Sequence, residues 1–439
     1  MNRYYWSQMD SLAKERLLKR AERDISEYLS VAQEIIDRVK AEGDQGVFFY
    51  TEKFDKAVLT RENLRVTKEE IIEGYQRVDQ EFKEALELAA ENIKKFHEKQ
   101  MPQRFWFTET QPGVMVGEQT NPISDVCIYV PRGKGSFPSV LLMLAIPALV
   151  AQVERVIVVT PPNPEGNLDD GVLAACKVAG VKEVYKVGGV QAVAAVAFGT
   201  ESIPKCSKII GPGNSYVTAA KRLLSGVLDV GSPAGPSEAI ILADEYADPL
   251  KVALDLMIEA EHGPDSASLL VTHSPSLADK VEKIVKEQIK KLSPQRKEFV
   301  TAVFNGYGGI IITDSLEESI AVVNAYAPEH MEIMTEQPWD ILPKIKNAGE
   351  ILLGENTPIT LANFLLGPNA ILPTGGFAKT YSSVSVHDFL KTSSVGYVTP
   401  KGYASIKDKA ARFAKEEGFE THRLAIEDRE GKGNYEGNS

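Results

Sequence analysis

The chain has few cysteines and no long hydrophobic run. Its 439 residues include only Cys127, Cys176 and Cys206, which are widely spaced. An odd number of scattered cysteines gives neither a disulfide framework nor a CxxC metal site, and it fits a reducing compartment. The longest apolar run, 140–153, is too short to span a bilayer and contains Pro147. A cytoplasmic protein with no membrane segment is therefore predicted.

The chain also has fewer basic than acidic residues. Lys and Arg number 49 against 61 Asp and Glu, so the formal net charge is -12. A nucleic-acid binder needs a basic surface to neutralise phosphates, and no Lys/Arg run in the chain is long. Nucleic acid is therefore not expected as a partner. The remaining composition, 43% hydrophobic and 25% charged, is ordinary for a globular protein with two or more domains and favours small-molecule chemistry.

Short β-rich segments alternate with helical patterns over most of the chain. The first set of segments is 126–130, 155–160, 183–187 and 208–210, and the second set is 238–243, 267–273, 309–313, 331–334 and 350–353. This alternation predicts βαβ units and parallel sheets in two α/β domains. The N-terminal segments 7–42 and 67–100 have amphipathic helical spacing, and His97 is predicted to lie at the surface of the second one.

Glycine-rich turns follow three strands of the first set. The turn at 211–214 precedes a predicted helix, where free backbone N–H groups and the positive end of the helix dipole suit a pyrophosphate. The dinucleotide fingerprint GxGxxG is absent from the chain. The glycines alone therefore fit either a nonstandard nucleotide site or plain tight turns.

Two acid and histidine pairs are candidates for chemistry. Glu259 and His262 lie on one face at the end of a helix predicted over 249–262, where they can bind a metal or a polar substrate. An isolated pair of this kind is more often a solvated carboxylate and a histidine at a helix C-terminus. Glu329 and His330 stand directly before a predicted strand, so their side chains diverge and can serve two different proton transfers. Alone, each histidine is also more often structural.

Several motifs together resemble the histidinol dehydrogenase family, in family order from about residue 46 to residue 429. They include Gly188-Gly-Val-Gln-Ala192, Gly211-Pro-Gly-Asn214, Ala260-Glu-His-Gly-Pro264, Tyr326-Ala-Pro-Glu-His330 and Glu417-Gly-Phe-Glu-Thr-His422. The resemblance implies a homodimeric enzyme that uses Zn²⁺ and NAD to oxidise a primary alcohol to a carboxylate in two hydride transfers. It also implies two incomplete Rossmann-like, doubly wound domains, N-terminal helices and a small C-terminal helical tail that completes the partner's site.

The expected domain bounds combine this resemblance with the glycine- and proline-rich crossover that ends at Ser237. Residues 1–105 would form the N-terminal helical arm and part of the first α/β domain, and 106–237 the NAD-side domain. Residues 238–380 would form the second Rossmann-like domain, which carries the metal site, and 381–439 the tail exchanged with the dimer partner.

The resemblance also assigns roles to residues of this chain. Glu329 and His330 match the catalytic pair, and the NAD contacts are matched by Tyr129, Gln191 and Asn214. The zinc-ligand positions hold Glu259, His262, Asn363 and His422. The substrate-contact positions hold these four residues together with Ser237, His330 and Glu417.

Four positions depart from the family pattern. Glu259 and Asn363 stand where the family has Gln and Asp, which leaves the charge of the ligand set unchanged. Ile359 replaces an acid and Ala370 replaces a histidine, so two polar groups around histidinol's amine and imidazole are lost. Because a buried ammonium without acceptors is costly, histidinol is disfavoured as the substrate.

The expected substrate is therefore a small polyol such as 2,3-dihydroxypropane-1-sulfonate, which the related sulfopropanediol 3-dehydrogenase oxidises. Arg132 and Lys134 are candidate contacts for its anionic group, although either could instead face NAD phosphates or solvent. One alternative is oxidation of L-histidinol to L-histidine in histidine biosynthesis. Another is a catalytically silent homologue that only binds a ligand, but the retained Glu329 and His330 speak against it.

Overall fold

The computed structural model describes residues 1–20, 26–132, 135–232 and 235–429. Lys134 and the last ten positions of the predicted tail, 430–439, lie outside these residues. Within the described ranges, no helix is both long enough and apolar enough to cross a bilayer.

The helices and strands are numbered in chain order. The α-helices are α1 (Ser11–Lys19), α2 (Ser26–Glu42), α3 (Asp44–Asp55), α4 (Arg61–Leu64), α5 (Lys68–Arg77), α6 (Gln80–Gln100), α7 (Pro138–Val150), α8 (Asp170–Ala179), α9 (Gly189–Phe198), α10 (Ser215–Leu224), α11 (Pro249–Asp255), α12 (Pro275–Ile289), α13 (Pro294–Asn305), α14 (Leu316–Tyr326), α15 (Pro338–Ile341), α16 (Ile359–Phe364), α17 (Pro400–Glu416) and α18 (Glu420–Glu427). The strands are β1 (Asn2–Tyr5), β2 (Phe105–Gln111), β3 (Val114–Pro122), β4 (Asp125–Tyr129), β5 (Arg155–Thr160), β6 (Glu183–Lys186), β7 (Ile209–Ile210), β8 (Glu238–Ala243), β9 (Ala267–Thr272), β10 (Gly309–Ile312), β11 (His330–Met334), β12 (Glu350–Leu353) and β13 (Leu390–Val398).

A six-stranded parallel sheet with the order β1-β10-β9-β8-β11-β12 forms the larger sheet of the chain. Its central strands are apolar at consecutive positions because helices cover both faces. Along β8, for example, Ile240 and Leu242 pack into one buried cluster, whereas Ile241 and Ala243 pack into another. The edge strand β1 was not predicted, since its four residues are too few to show a period.

A second parallel sheet has the order β6-β5-β4-β7. The chain runs outward from β4 to β6 and then returns to place β7 on the other side of β4. Strand order therefore reverses between β4 and β7, and the crevice beyond the carboxyl ends of two such strands is the usual ligand site of an open α/β sheet.

The chain divides into two compact units. The first unit, 1–101 and 123–389, contains both parallel sheets. The second unit, 102–122 and 390–429 among the described residues, contains the antiparallel sheet β13-β3-β2 with α17 and α18. The prediction of an α/β fold with parallel sheets and small C-terminal helices is confirmed, whereas the predicted domain bounds stay a prediction.

Two local predictions are corrected by the structure. The helix predicted over 249–262 ends at Asp255, and a separate 3₁₀ turn, Glu259–Glu261, follows it. His97 was predicted at the surface but is fully buried, and its Nδ1 lies 2.7 Å from the Ile93 carbonyl oxygen. The lysines near it in sequence, Lys94, Lys95 and Lys99, are exposed.

Candidate active site

The predicted catalytic pair stands at the amino end of β11, which lies between β8 and the edge strand β12 in the six-stranded sheet. Helix α14 ends at Tyr326 and is capped by Ala327, whose φ of 54° lies in the left-handed region that non-glycine residues rarely adopt. Pro328 follows and turns the chain into the strand. Glu329 is 8% exposed and His330 3%, so both side chains are buried. A backbone outlier and a buried acid and histidine at one place are typical of an active site.

Glu329 is held by the neighbouring strand. Its Oε2 accepts a hydrogen bond from the backbone N–H of Glu238 at 2.8 Å. Burial raises the pKa of Glu329 well above its usual range, and the nearby carboxylates of Glu259 and Glu238 add to this effect, while His330 opposes it. A carboxylate with a raised pKa can take a proton from water near neutral pH.

His330 lies among three carboxylates. Its Nδ1 is 2.5 Å from Glu350 Oε1, and its Nε2 is 3.8 Å from Glu329 Oε1 and 3.9 Å from Glu259 Oε1. Burial alone would lower the pKa of His330, but the charges of these carboxylates outweigh it and raise the pKa to about 10. A cation bound among the carboxylates would lower this pKa again.

Three of the four predicted metal ligands meet around Glu259. Its Oε1 lies 3.4 Å from Asn363 Nδ2, and its Oε2 lies 3.4 Å from His262 Nδ1. Within the ranges that the structure describes, no three His, Cys, Asp or Glu side chains are grouped so as to hold a metal ion. The converging donors are instead a carboxylate, a carboxamide and an imidazole, and each of these can ligate Zn²⁺ once the amide oxygen faces the ion.

The other predicted substrate and metal residues fall in two places. Ser237 directly precedes β8, next to the Glu238 N–H that binds Glu329, and so belongs to the same region of the first unit. Glu417 and His422 lie in the second unit, at the end of α17 and in α18, and both are exposed. The His422 ring packs 5.0 Å from the ring of Phe419.

The structure adds carboxylates that were not predicted as site residues. Glu350 contacts His330, and Glu332 is 1% exposed and accepts a hydrogen bond from the Ile359 backbone N–H at 2.7 Å. Glu238 binds Arg20 at 2.7 Å and the Gly375 N–H at 3.1 Å, and burial raises its pKa to about 7. These acids lie in strands that were predicted, so a correct pairing of the strands could have located them. The region around His330 thus carries a surplus of buried acidic side chains.

The predicted NAD contacts meet at the carboxyl ends of the four-stranded sheet. The hydroxyl oxygen of Tyr129, the last residue of β4, accepts a hydrogen bond from the Gly189 N–H at 3.0 Å. Gln191, in the first turn of α9, is 1% exposed, and its Oε1 has no hydrogen-bond partner among the described residues. An unsatisfied buried acceptor is costly without a ligand donor, so Gln191 fits a binding role.

The turn after β7 lies against the same strand end. Gly211 has a φ of 132°, and a Cβ at this position would lie 2.1 Å from the Tyr129 carbonyl oxygen, so only glycine fits. Lys221 Nζ donates a hydrogen bond to the Gly211 carbonyl at 2.6 Å. Asn214 caps α10 by accepting a hydrogen bond from the Val217 N–H at 3.1 Å. This crevice lies at the reversal of strand order and fits a nucleotide.

Comparison with known proteins identifies the family. Residues 18–430 match the family model described as histidinol dehydrogenase. A histidinol dehydrogenase from Synechocystis sp. is 52% identical over 415 residues, which cover 94% of this chain and 96% of the relative. A histidinol dehydrogenase homolog from Cereibacter sphaeroides is 49% identical and covers 96% of each chain. The crystal structure of histidinol dehydrogenase from Elizabethkingia anophelis superposes with a TM-score of 0.92 at 35% identity, covering 97% of each chain.

The parallel α/β fold and these relatives define the chain as an NAD-dependent oxidoreductase. The chain belongs to the histidinol dehydrogenase family. The prediction that it oxidises 2,3-dihydroxypropane-1-sulfonate is wrong, because relatives that match nearly its whole length are named histidinol dehydrogenase. That prediction was based on the replacement of an acid by Ile359 and did not include the buried carboxylates around His330.

Proposed function

We propose that the protein oxidises L-histidinol to L-histidine with two molecules of NAD. The observation that carries this proposal is the surplus of buried carboxylates around His330, formed by Glu259, Glu329 and Glu350. Carboxylates in a region of low dielectric favour cations, so they favour an ammonium-bearing alcohol and a divalent metal. The same charges would repel a sulfonate. The relatives named histidinol dehydrogenase support this choice.

Each side chain of the catalytic pair would accept one of the two protons that the reaction releases from oxygen. His330 Nε2 points toward Glu329 and Glu259, and it would take the hydroxyl proton as hydride leaves for NAD. Glu329 would then take a proton from the water that attacks the aldehyde, after which the second hydride leaves. The 3.8 Å between Glu329 Oε1 and His330 Nε2 lets a single substrate carbon be reached by both groups.

We further propose that Glu259, His262, Asn363 and His422 hold Zn²⁺. Zn²⁺ in this set would orient the alcohol and act as a Lewis acid on its oxygen. One carboxylate and one carboxamide are present among the ligands, as in the family, with their positions exchanged. The described contacts between Glu259, His262 and Asn363 support the first three ligands.

Although Ile359 stands where the family has an acid, an acidic side chain still lies beside this position. Its side chain is fully buried beside Ala239 and Leu352, and its backbone N–H binds the carboxylate of Glu332. A buried carboxylate therefore lies next to the position where the family has an acidic side chain. This arrangement supports histidinol as a substrate despite the substitution.

Substrate choice is tested by parallel assays. With Zn²⁺ and NAD present, we expect histidinol to produce NADH, measured at 340 nm, at least about 100-fold faster than 2,3-dihydroxypropane-1-sulfonate, because rejecting a wrongly charged group costs several kcal/mol. The product is checked as histidine by mass spectrometry. NADH formation from the sulfonate alone would contradict the proposal, and no turnover of either alcohol with metal bound would favour a ligand-binding homologue.

We also propose a homodimer in which the tail of one copy completes the partner's site. The second compact unit exposes large apolar side chains that a monomer would leave in water, among them Phe107 (48% exposed), Tyr397 (60%) and Phe413 (72%). Exposed apolar groups at this density mark an interaction surface. Strand β2 is also exposed along its whole length.

The shared site predicts complementation between two inactive variants. His262→Ala and His422→Ala are each expected to be inactive as pure dimers. If the two residues serve one site from different copies, each mixed dimer contains one intact site, so refolding the variants together should restore about a quarter of wild-type activity. Each variant mixed with itself is the control. No restored activity in dimers shown by light scattering to have exchanged subunits would contradict tail exchange.

A further inference from the structure

His330 and Glu350 form a buried pair, and the contact between their side chains has not yet been given a role in the reaction. Glu350 is the first residue of β12 and stands directly opposite His330 in the parallel register of β11 and β12. Its Oε1 lies 2.5 Å from His330 Nδ1, and the two side chains are 8% and 4% exposed. A short contact shielded from water can fix the orientation of an imidazole ring.

The backbone brings Glu350 to this place. The Gly349 N–H donates to the Pro328 carbonyl at 2.9 Å, and the Glu350 N–H donates to the Glu329 carbonyl at 3.0 Å. A Cβ at position 349 would lie 2.6 Å from the Glu329 carbonyl oxygen, so glycine is required for this close approach. The loop that carries the catalytic pair is thus bonded to the residues that carry Glu350.

The contact also determines which nitrogen of His330 can accept a proton. An ionised carboxylate only accepts hydrogen bonds, so Nδ1 must donate to Glu350. In a neutral imidazole with a proton on Nδ1, the lone pair is on Nε2. Nε2 is the nitrogen that faces Glu329 and Glu259, at 3.8 and 3.9 Å from their Oε1 atoms. The lone pair therefore points to the side where the substrate would react.

We infer that Glu350 is a positioning residue, which holds His330 in the tautomer and orientation needed to accept the alcohol proton at Nε2. The inference deepens the proposed function and rests on it, since it assigns a partner to the base of that reaction. The arrangement has the logic of a carboxylate that orients the histidine of a hydrolase triad. Glu350 acts through His330, and no direct contact with substrate is assigned to it.

Single-turnover kinetics test the inference. Enzyme in excess over NAD is mixed with histidinol, and the rate constant and the amplitude of NADH formation are measured. For Glu350→Gln, which keeps the side-chain volume but can donate to Nδ1 and select the other tautomer, we expect a rate constant about 100-fold lower with an unchanged amplitude. Glu350→Ala should lose at least as much, and Glu350→Asp, which keeps the carboxylate, should recover part of the loss.

The control is Glu336→Gln, which neutralises an exposed carboxylate just beyond the other end of β11 and should change neither quantity. An unchanged rate constant in Glu350→Gln would overturn the positioning role, whatever the amplitude of NADH formation. Absence of NADH with the wild-type enzyme would instead overturn the proposed function, and the inference with it.

Discussion

Replacing His330 with alanine is expected to lower kcat for histidinol by about 1000-fold or more, because the reaction then lacks the base that takes the hydroxyl proton. The imidazole is buried between three carboxylates, and no other side chain with a basic nitrogen is described within contact of Glu329 Oε1. Water could reach the position left by the ring, but it is a much weaker base. The loss should therefore appear in kcat.

Zinc content and NAD affinity should be retained in this variant. The predicted zinc ligands and the crevice around Tyr129 and Gln191 keep all their side chains. Zinc is measured by elemental analysis and NAD binding by calorimetry. His387→Ala, which removes an exposed histidine, is the matched control and should retain full activity. Near wild-type kcat in His330→Ala would remove His330 from the mechanism.

Changing Glu259 to glutamine is expected to weaken zinc binding by at least about 100-fold, because the predicted ligand set then has no anionic member. Glu259 is 1% exposed and lies at the centre of the predicted set, within 3.4 Å of both Asn363 and His262. Adding Asn363→Asp to this variant returns one carboxylate to the set, in the arrangement typical of the family. The double variant should therefore regain most of the zinc affinity.

Zinc affinity is measured by competition with a chelating dye, so this test does not depend on turnover. Asn363→Asp alone places two carboxylates close together, and they repel each other when no metal is bound. Metal binding should therefore raise the melting temperature of this variant by more than it raises that of the wild type. Glu336→Gln again serves as the control for loss of a carboxylate. Equal zinc affinity in the single and double variants would exclude this ligand set.

Much of the fold could be predicted because its signals are local. Parallel strands buried on both faces read as continuous apolar runs, so β4, β5, β8, β9 and β11 were found in sequence. Strand β1 and the antiparallel sheet of the second unit were missed, since short or exposed strands have no such run. His97 was misplaced because the three lysines near it in sequence are exposed, whereas its own side chain is buried.

The candidate site, like the fold, could be predicted from the sequence only in part. The motifs around Glu259, Glu329 and Gln191 were enough to identify the family, because each combines residue types in an unusual order. Glu350 could not be assigned, since twenty positions separate it from His330 and only the pairing of β11 with β12 joins them. The wrong substrate prediction has the same origin, because the acids of a buried site come from every strand that begins there.

By itself, the sequence determined the class of fold, the family and the residues that could act on an alcohol with NAD, because these depend on local pattern and on ordered motifs. Only the tertiary structure decided which carboxylates surround His330. Parallel strands that are distant in the chain begin side by side, and burial makes their charges act on one another.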